Sequence, residues 1–276
     1  MTIGEALRSA TRRLAQAGVS DPGRDARILV AAASGHPADR IRLYESEPCL
    51  GLEALEDSLI QREARKPVAM IVGQREFWGR PFKVTTDTLV PRPETEVLVE
   101  EALKQPFARV LDLGTGSGAI IVSLLCEIEA ATGVGVDVSE PALAVARANA
   151  ATFDVATRVE MIRSDWFRNV QGKFDLIVSN PPYVSEEEFE SLAPEVRNWD
   201  PKGALSPGGD GLDAYRRIAK EGHAFLADHG RLLVEIGSTQ SDSVTQILAG
   251  EGWDVFGTRV DLDGRNRVIC ARISAQ

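Results

Sequence analysis

Over about the first 65 residues the apolar positions recur three and four residues apart. Ile3, Leu7, Ala10 and Leu14 do so directly behind Thr2-x-x-Glu5, a pairing that satisfies two backbone N–H groups at a helix start. A second apolar stretch, 26–33, follows Asp21-Pro22 and stops at Gly35-His36-Pro37. Ile41, Leu43 and Tyr44 suggest a short third helix, and Leu52, Leu55, Leu59 and Ile60 a fourth. No strand pattern interrupts them, so residues 1–67 read as a small all-helical domain that closes at Arg65-Lys66-Pro67. Without a catalytic constellation of its own, it is expected to recognise substrate or to pack. From Val68 the pattern shortens to β-like pieces, and Phe77-Trp78-Gly79-Arg80-Pro81-Phe82 resembles two strands around a tight turn, making 68–90 a hairpin connector. From Ala108 onward strands (108–113, 133–137, 157–162, 174–179, 231–236 and 265–273) alternate with helices (118–128, 140–151, 210–227 and 239–250). That alternation predicts an α/β domain over 91–276, a mostly parallel sheet with helices on both faces. The segment 184–209, acidic and then rich in Pro and Gly, is expected to be irregular and to act as a substrate loop.

Composition narrows the partners. The formal charge of −10 is uneven: residues 1–75 hold 11 Lys+Arg against 10 Asp+Glu, and residues 76–276 hold 20 against 31. Affinity for nucleic acid is largely phosphate neutralisation, so so acidic a domain is a poor autonomous DNA binder. No run of 18 apolar residues and no charged-then-apolar leader is present, which leaves the cytoplasm as the expected location, without a membrane partner. Cys49, Cys126 and Cys270 are far apart, and the histidines His36, His223 and His229 form no ligand pattern, so reduced thiols and no metal are expected.

Two stretches carry chemistry. Val110-Leu111-Asp112-Leu113 runs into Gly114-Thr115-Gly116-Ser117-Gly118 and then a helix pattern, and the next strand, Gly133-Val134-Gly135-Val136-Asp137, ends in a carboxylate able to bind ribose hydroxyls. The spacing D-x-G-x-G-x-G departs from the dinucleotide fingerprint G-x-G-x-x-G, which disfavours a nicotinamide oxidoreductase. Further on, Asn180-Pro181-Pro182-Tyr183 follows the apolar run 174–179, where open parallel sheets bind ligands. A side-chain carbonyl on Asn180, a backbone carbonyl fixed by the stiff proline pair and the ring of Tyr183 together suit a planar NH2 group, an amide or an exocyclic amine.

The glycine turn matches the first motif of the Rossmann-like class I methyltransferases. That resemblance implies S-adenosyl-L-methionine held by Gly114, Thr115, Gly116, Ser117 and Gly118, with Asp137 on the ribose, Asp165 accepting from the adenine amino group, Trp166 stacked on its ring, and Asn180 also reaching the cofactor. Asn180-Pro181-Pro182-Tyr183 is shared by enzymes that methylate adenine N6 and by those that methylate a glutamine amide. The stretches Pro67-Val68-Ala69-Met70-Ile71-Val72-Gly73, Phe77-Trp78-Gly79, Leu89-Val90-Pro91-Arg92-Pro93-Glu94-Thr95-Glu96, Gly208-Gly209-Asp210-Gly211-Leu212-Asp213 and Glu235-Ile236-Gly237 resemble the PrmC/HemK family. That likeness covers nearly the whole chain. It implies transfer of a methyl group to the glutamine amide nitrogen of the Gly-Gly-Gln motif in class-I peptide chain release factors, by a chain expected to act as a monomer. Asn180, Pro181 and Tyr183 are the expected catalytic residues, and with Pro182 they form the expected substrate contact; the alternative is adenine-N6 methylation of DNA or RNA. Arg92 and Glu94 either orient the connector or pair with each other. Glu186, Glu187 and Glu188 read as a solvated helix start.

Overall fold

The computed structural model describes residues 1–274, so the last two residues of the span 91–276 lie outside the described residues. The chain divides into two compact units, residues 1–74 with 193–199, and residues 75–192 with the chain from 200 onward.

The first unit packs α1 (Ile3–Gln16), α2 (Pro22–Ser34), α3 (Leu52–Glu63) and the short α4 (Val68–Val72). Ile3, Leu7, Ala10 and Leu14 line the inner face of α1 and meet Leu29 and Val30 of α2 and Leu55 and Leu59 of α3 in one apolar cluster. Thr2 caps α1: its hydroxyl accepts from the Glu5 N–H at 3.2 Å while the Glu5 carboxylate accepts from the Thr2 N–H at 2.8 Å. Thr2→Ala removes one of those bonds and the geometry of the other, and is expected to lower stability in urea unfolding by about 1 kcal/mol without changing the denaturant slope. Residues 68–72, where the sequence suggested β-like pieces, are helical and end at Gly73 in the left-handed conformation. A buried ion pair joins α2 to α3, Arg62 Nε donating to Asp25 at 2.7 Å, and the Arg62 and Arg65 guanidinium groups both bind Glu195 in the short helix Pro194–Arg197. This segment of the expected substrate loop therefore belongs to the first unit.

In the second unit β1 (Gln74–Phe77) and β2 (Arg80–Lys83) form a hairpin whose two turn residues, Trp78 and Gly79, both have positive φ, as the right-handed twist of such a pair demands. Then follow α5 (Glu96–Leu103), β3 (Arg109–Leu113), α6 (Ala119–Glu127), β4 (Thr132–Asp137), α7 (Glu140–Thr152), β5 (Val159–Arg163) and β6 (Phe174–Ser179). After α8 (Glu186–Ser191), and the helix Pro194–Arg197 counted as α9, come α10 (Lys202–Leu205), α11 (Asp213–Gly222), β7 (Leu226–Glu235), α12 (Ser241–Gly250), β8 (Trp253–Val260) and β9 (Asn266–Ile273). The sheet order is β5-β4-β3-β6-β7-β9-β8, parallel from β5 to β7 and antiparallel at β7–β9 and β9–β8.

Successive side chains of a strand point to opposite faces, and both faces are apolar. Leu176 and Val178 join the cluster built by α5, α6 and α7, whereas Ile177 joins that built with Tyr215 and Ile218 of α11 and Val244 and Leu248 of α12. β8 escapes the sequence pattern because Gly257 breaks its alternation at a register shift between Val255 and Gly257. The segment 184–209 is not irregular throughout: it holds α8, α9 and α10, and α8 starts with a capping box of Ser185 and Glu188. Among the described residues no helix is long and apolar enough to cross a membrane, and no group of three or more His, Cys, Asp or Glu side chains is placed to hold a metal.

Candidate active site

The chain leaves β3 in two directions, through β4 and β5 on one side and β6 and β7 on the other. At that reversal the carboxyl ends of two neighbouring strands part and open a crevice. Leu113 pairs with Ser179 across β3 and β6, so Gly114 and Asn180, the next residues of each strand, stand side by side at its mouth. Leu113 also pairs with Val136, which brings Asp137 to the same edge. Residues up to 66 positions apart in sequence are thus brought to three adjacent strand ends.

A cavity of about 470 Å³ occupies the crevice. Gly114, Gly116, Asp137, Ser164, Trp166, Asn180 and Pro182 lie on its wall, closed on the far side by Pro201, Ala204, Pro207 and Arg217. Gly114 and Gly116 have φ of 72° and 54°, and a Cβ on either would project into open space, so the turn offers bare backbone to whatever the cavity takes. The Asp137 carboxylate fixes the turn, accepting from the Gly116 N–H at 3.0 Å and the Ser139 N–H at 2.9 Å. Thr115 and Ser117 are buried behind the wall rather than on it; the Thr115 hydroxyl donates to Asp112 at 2.6 Å, and the Ser117 carbonyl accepts from Asn149. Gly118 caps α6 in the left-handed conformation.

Asn180 donates through Nδ2 to the Thr95 hydroxyl at 3.2 Å. Its side-chain oxygen is on the opposite end of the amide, so the acceptor end is the one left for the cavity. Pro181 is buried, and Tyr183 does not line the cavity: its backbone is held by Leu205 and Gln240, and its phenol lies by Glu235, Arg267 and Arg92. Burial, with Glu235 adding to it, pushes the Tyr183 hydroxyl up to about 12, so it stays protonated at physiological pH. Trp166 is on the wall with φ of 53°, whereas the Asp165 carboxylate turns to Arg217 at 2.9 Å. Arg92 does not pair with Glu94; it binds Asp200 at 2.7 Å, whose side chain is buried.

Three residues with a place in this geometry were given no role by the sequence reading. Thr95 and Glu235 stand behind Asn180, and their partners are more than 80 residues away in sequence. Asp112 was read as part of a strand and as the first residue of the D-x-G-x-G-x-G pattern, with no role of its own. It is completely buried, its Oδ1 has no hydrogen-bond partner among the described residues, and burial raises its pKa to about 7 against the pull of the Thr115 hydroxyl. The D-x-G spacing was its only signal.

Bare glycine backbone, a ribose-height carboxylate and an aromatic wall suit an adenosine ligand. The sheet and its crevice are those of the class I S-adenosylmethionine-dependent methyltransferases, and the chain is one of them. Residues 93–212 match the methyltransferase small domain and residues 5–73 the PrmC N-terminal domain. The fold is shared with a methyltransferase from Pyrococcus furiosus, at 15% identity, a TM-score of 0.55 and coverage of 78% of this chain and 96% of the other. It is also shared with the hMettl16 catalytic domain, at 15% identity and a TM-score of 0.59 over 79% and 83% of the two chains. Much nearer in sequence is the release factor glutamine methyltransferase of Cereibacter sphaeroides, 52% identical over 100% of both chains. That of Agrobacterium fabrum is 42% identical over 98% of this chain and 97% of its own. The chain belongs to the release factor glutamine methyltransferase family.

Proposed function

We propose that the chain methylates the side-chain amide nitrogen of the glutamine in the Gly-Gly-Gln motif of class-I peptide chain release factors. The observation that carries this reading is the orientation of Asn180, whose NH2 group is engaged by Thr95 so that its oxygen is free at a cavity wall shared with Gly114, Gly116 and Asp137. S-adenosylmethionine, when bound, supplies an electrophilic methyl group on a sulfonium. Gly114, Gly116, Asp137 and Trp166 would hold its nucleoside.

An amide nitrogen is barely nucleophilic because its lone pair is delocalised, so positioning and electrostatics must supply the rate. The Asn180 side-chain oxygen and the Pro181 backbone carbonyl each accept one N–H of the glutamine amide. Two acceptors fix the nitrogen and favour the charge that grows on it as it is alkylated. The N-methylated product cation is acidic enough to lose its proton without a dedicated base, in keeping with a neutral Tyr183. On this reading the chain works as a monomer in the cytoplasm, and the excess of 31 acidic over 20 basic residues in 76–276 suits a protein substrate better than a nucleic acid.

Labelled S-adenosylmethionine with purified release factor, with the same factor carrying alanine for its motif glutamine, and with a DNA oligomer tests the reading. Label in the first alone is the expected result; label in DNA overturns it in favour of adenine methylation. Asp137→Ala is expected to weaken binding of S-adenosylhomocysteine by about 10- to 100-fold in calorimetry, the loss of one charge-assisted contact together with the brace on the Gly116 turn.

A further inference from the structure

An asparagine amide is nearly symmetric in shape and opposite in hydrogen-bonding sense at its two ends, so rotating it by half a turn exchanges an acceptor for two donors. Asn180 serves an incoming amide N–H only in one of those states. What selects the state lies behind it. The Nδ2 group donates to Thr95 Oγ1, and Thr95 is only 4% exposed. A hydroxyl has a single proton, so it acts as a dependable acceptor when that proton is committed elsewhere. The Thr95 hydroxyl interacts with Glu235, which ends β7 and is 1% exposed. Once ionised, which burial delays to about pH 7, the carboxyl can only accept. The sense of the chain is then set from the inside outward: Thr95 donates to Glu235, Asn180 donates to Thr95, and the Asn180 oxygen is turned to the cavity.

We propose that Glu235 is a positioning residue which, through Thr95, locks the acceptor end of Asn180 toward the substrate amide, and that it governs turnover rather than cofactor affinity. The inference rests on the acceptor role given to Asn180 above.

A purely structural role fits Glu235 poorly. Its second oxygen has no hydrogen-bond partner among the described residues, and its carboxyl is fully buried, with burial raising its pKa to about 7. The groups facing it are Thr95, Arg267, Arg92 and Glu94, with the Tyr183 phenol alongside, and no cation hydrogen-bonds to it among the described contacts. Glutamine would fill the same volume without the burden of burying an acid, but its NH2 end can donate to Thr95 and so unlock the sense of the chain.

Steady-state kinetics on release factor and calorimetric binding of S-adenosylhomocysteine, for Thr95→Val, Thr95→Ser, Glu235→Gln and the Thr95→Val/Glu235→Gln double variant, test this. Thr95→Val keeps shape and removes the hydroxyl, and is expected to lower kcat by about 10- to 100-fold. Thr95→Ser restores most of it. Glu235→Gln is expected to lower kcat by about tenfold while melting at or above the parent temperature, and the double variant to be no slower than the worse single one, since both changes break one chain. Affinity for S-adenosylhomocysteine is expected to stay within about twofold throughout. Parent kcat in Thr95→Val, additive losses in the double variant, or a loss confined to cofactor affinity would each overturn the proposal. Asn180→Ala is run beside them. If it keeps the parent rate, the acceptor reading itself is wrong; if it is slow while Thr95→Val is not, only the lock fails.

Discussion

Asn180→Ala is expected to lower kcat on release factor by about two to three orders of magnitude, the ~2–4 kcal/mol that follows removal of one preorganised partner of the developing charge. The loss should fall on kcat. Gly114, Gly116, Asp137 and Trp166 lie on the cavity wall, and the glycine turn does not depend on Asn180 for its geometry, because it is held by Val136 and Asp137. S-adenosylhomocysteine is therefore expected to bind within about threefold of the parent affinity. The backbone carbonyl of Pro181 survives the substitution, so the residual rate reports what one acceptor achieves without the other. Single-turnover methylation with enzyme in excess separates the chemical step from release of product. A variant that methylates at the parent rate sinks the assignment.

The parts of this site that were legible in the sequence are those whose meaning is local. Strand, glycine turn and helix follow one another without interruption from Val110 to Glu127, and both Asp137 and Asn180 directly end or follow an apolar run. Position at a strand end was enough to bring them together, since parallel register places strand ends in a row. What was not legible depends on pairings between distant stretches. Glu195 reads as one more acid in an acidic loop until Arg62 and Arg65, 130 or more residues earlier, are seen to grip it. Asp165 was expected to face a ligand, but its nearest cation is Arg217, on a helix whose angle no periodicity reveals. Thr95 and Glu235 give the same lesson, because a Thr near a helix start and a Glu at a strand end each have an ordinary local explanation. β8 shows the converse failure, a local pattern spoiled by one glycine at a bulge.

Asp112 provides the second large effect, and its sign is set by burial. Stability measured as urea unfolding at several pH values is expected to shift in favour of Asp112→Asn over the parent by about 4 kcal/mol between pH 4 and pH 8, for about three pK units at 1.36 kcal/mol each. In the unfolded chain an aspartate ionises near its ordinary value of 3.8, whereas burial, reinforced by the nearby Asp137 and opposed by Thr115 and the Ile121 backbone, keeps Asp112 protonated in the fold up to about 7. Below the lower value both states hold the proton and the residue adds no pH dependence. Between the two, the unfolded chain releases a proton that the fold retains, so the parent loses stability as pH rises, and the loss levels off above about 7. Asparagine removes that dependence at nearly constant volume. Comparing variant with parent cancels the other titrating groups, including Glu235, whose burial gives it the same sign and a pKa of about 7. A fold that carries such an acid at the root of its glycine turn is less stable at neutral pH than it need be. A variant-to-parent difference that stays constant from pH 4 to pH 8 would remove Asp112 as the source.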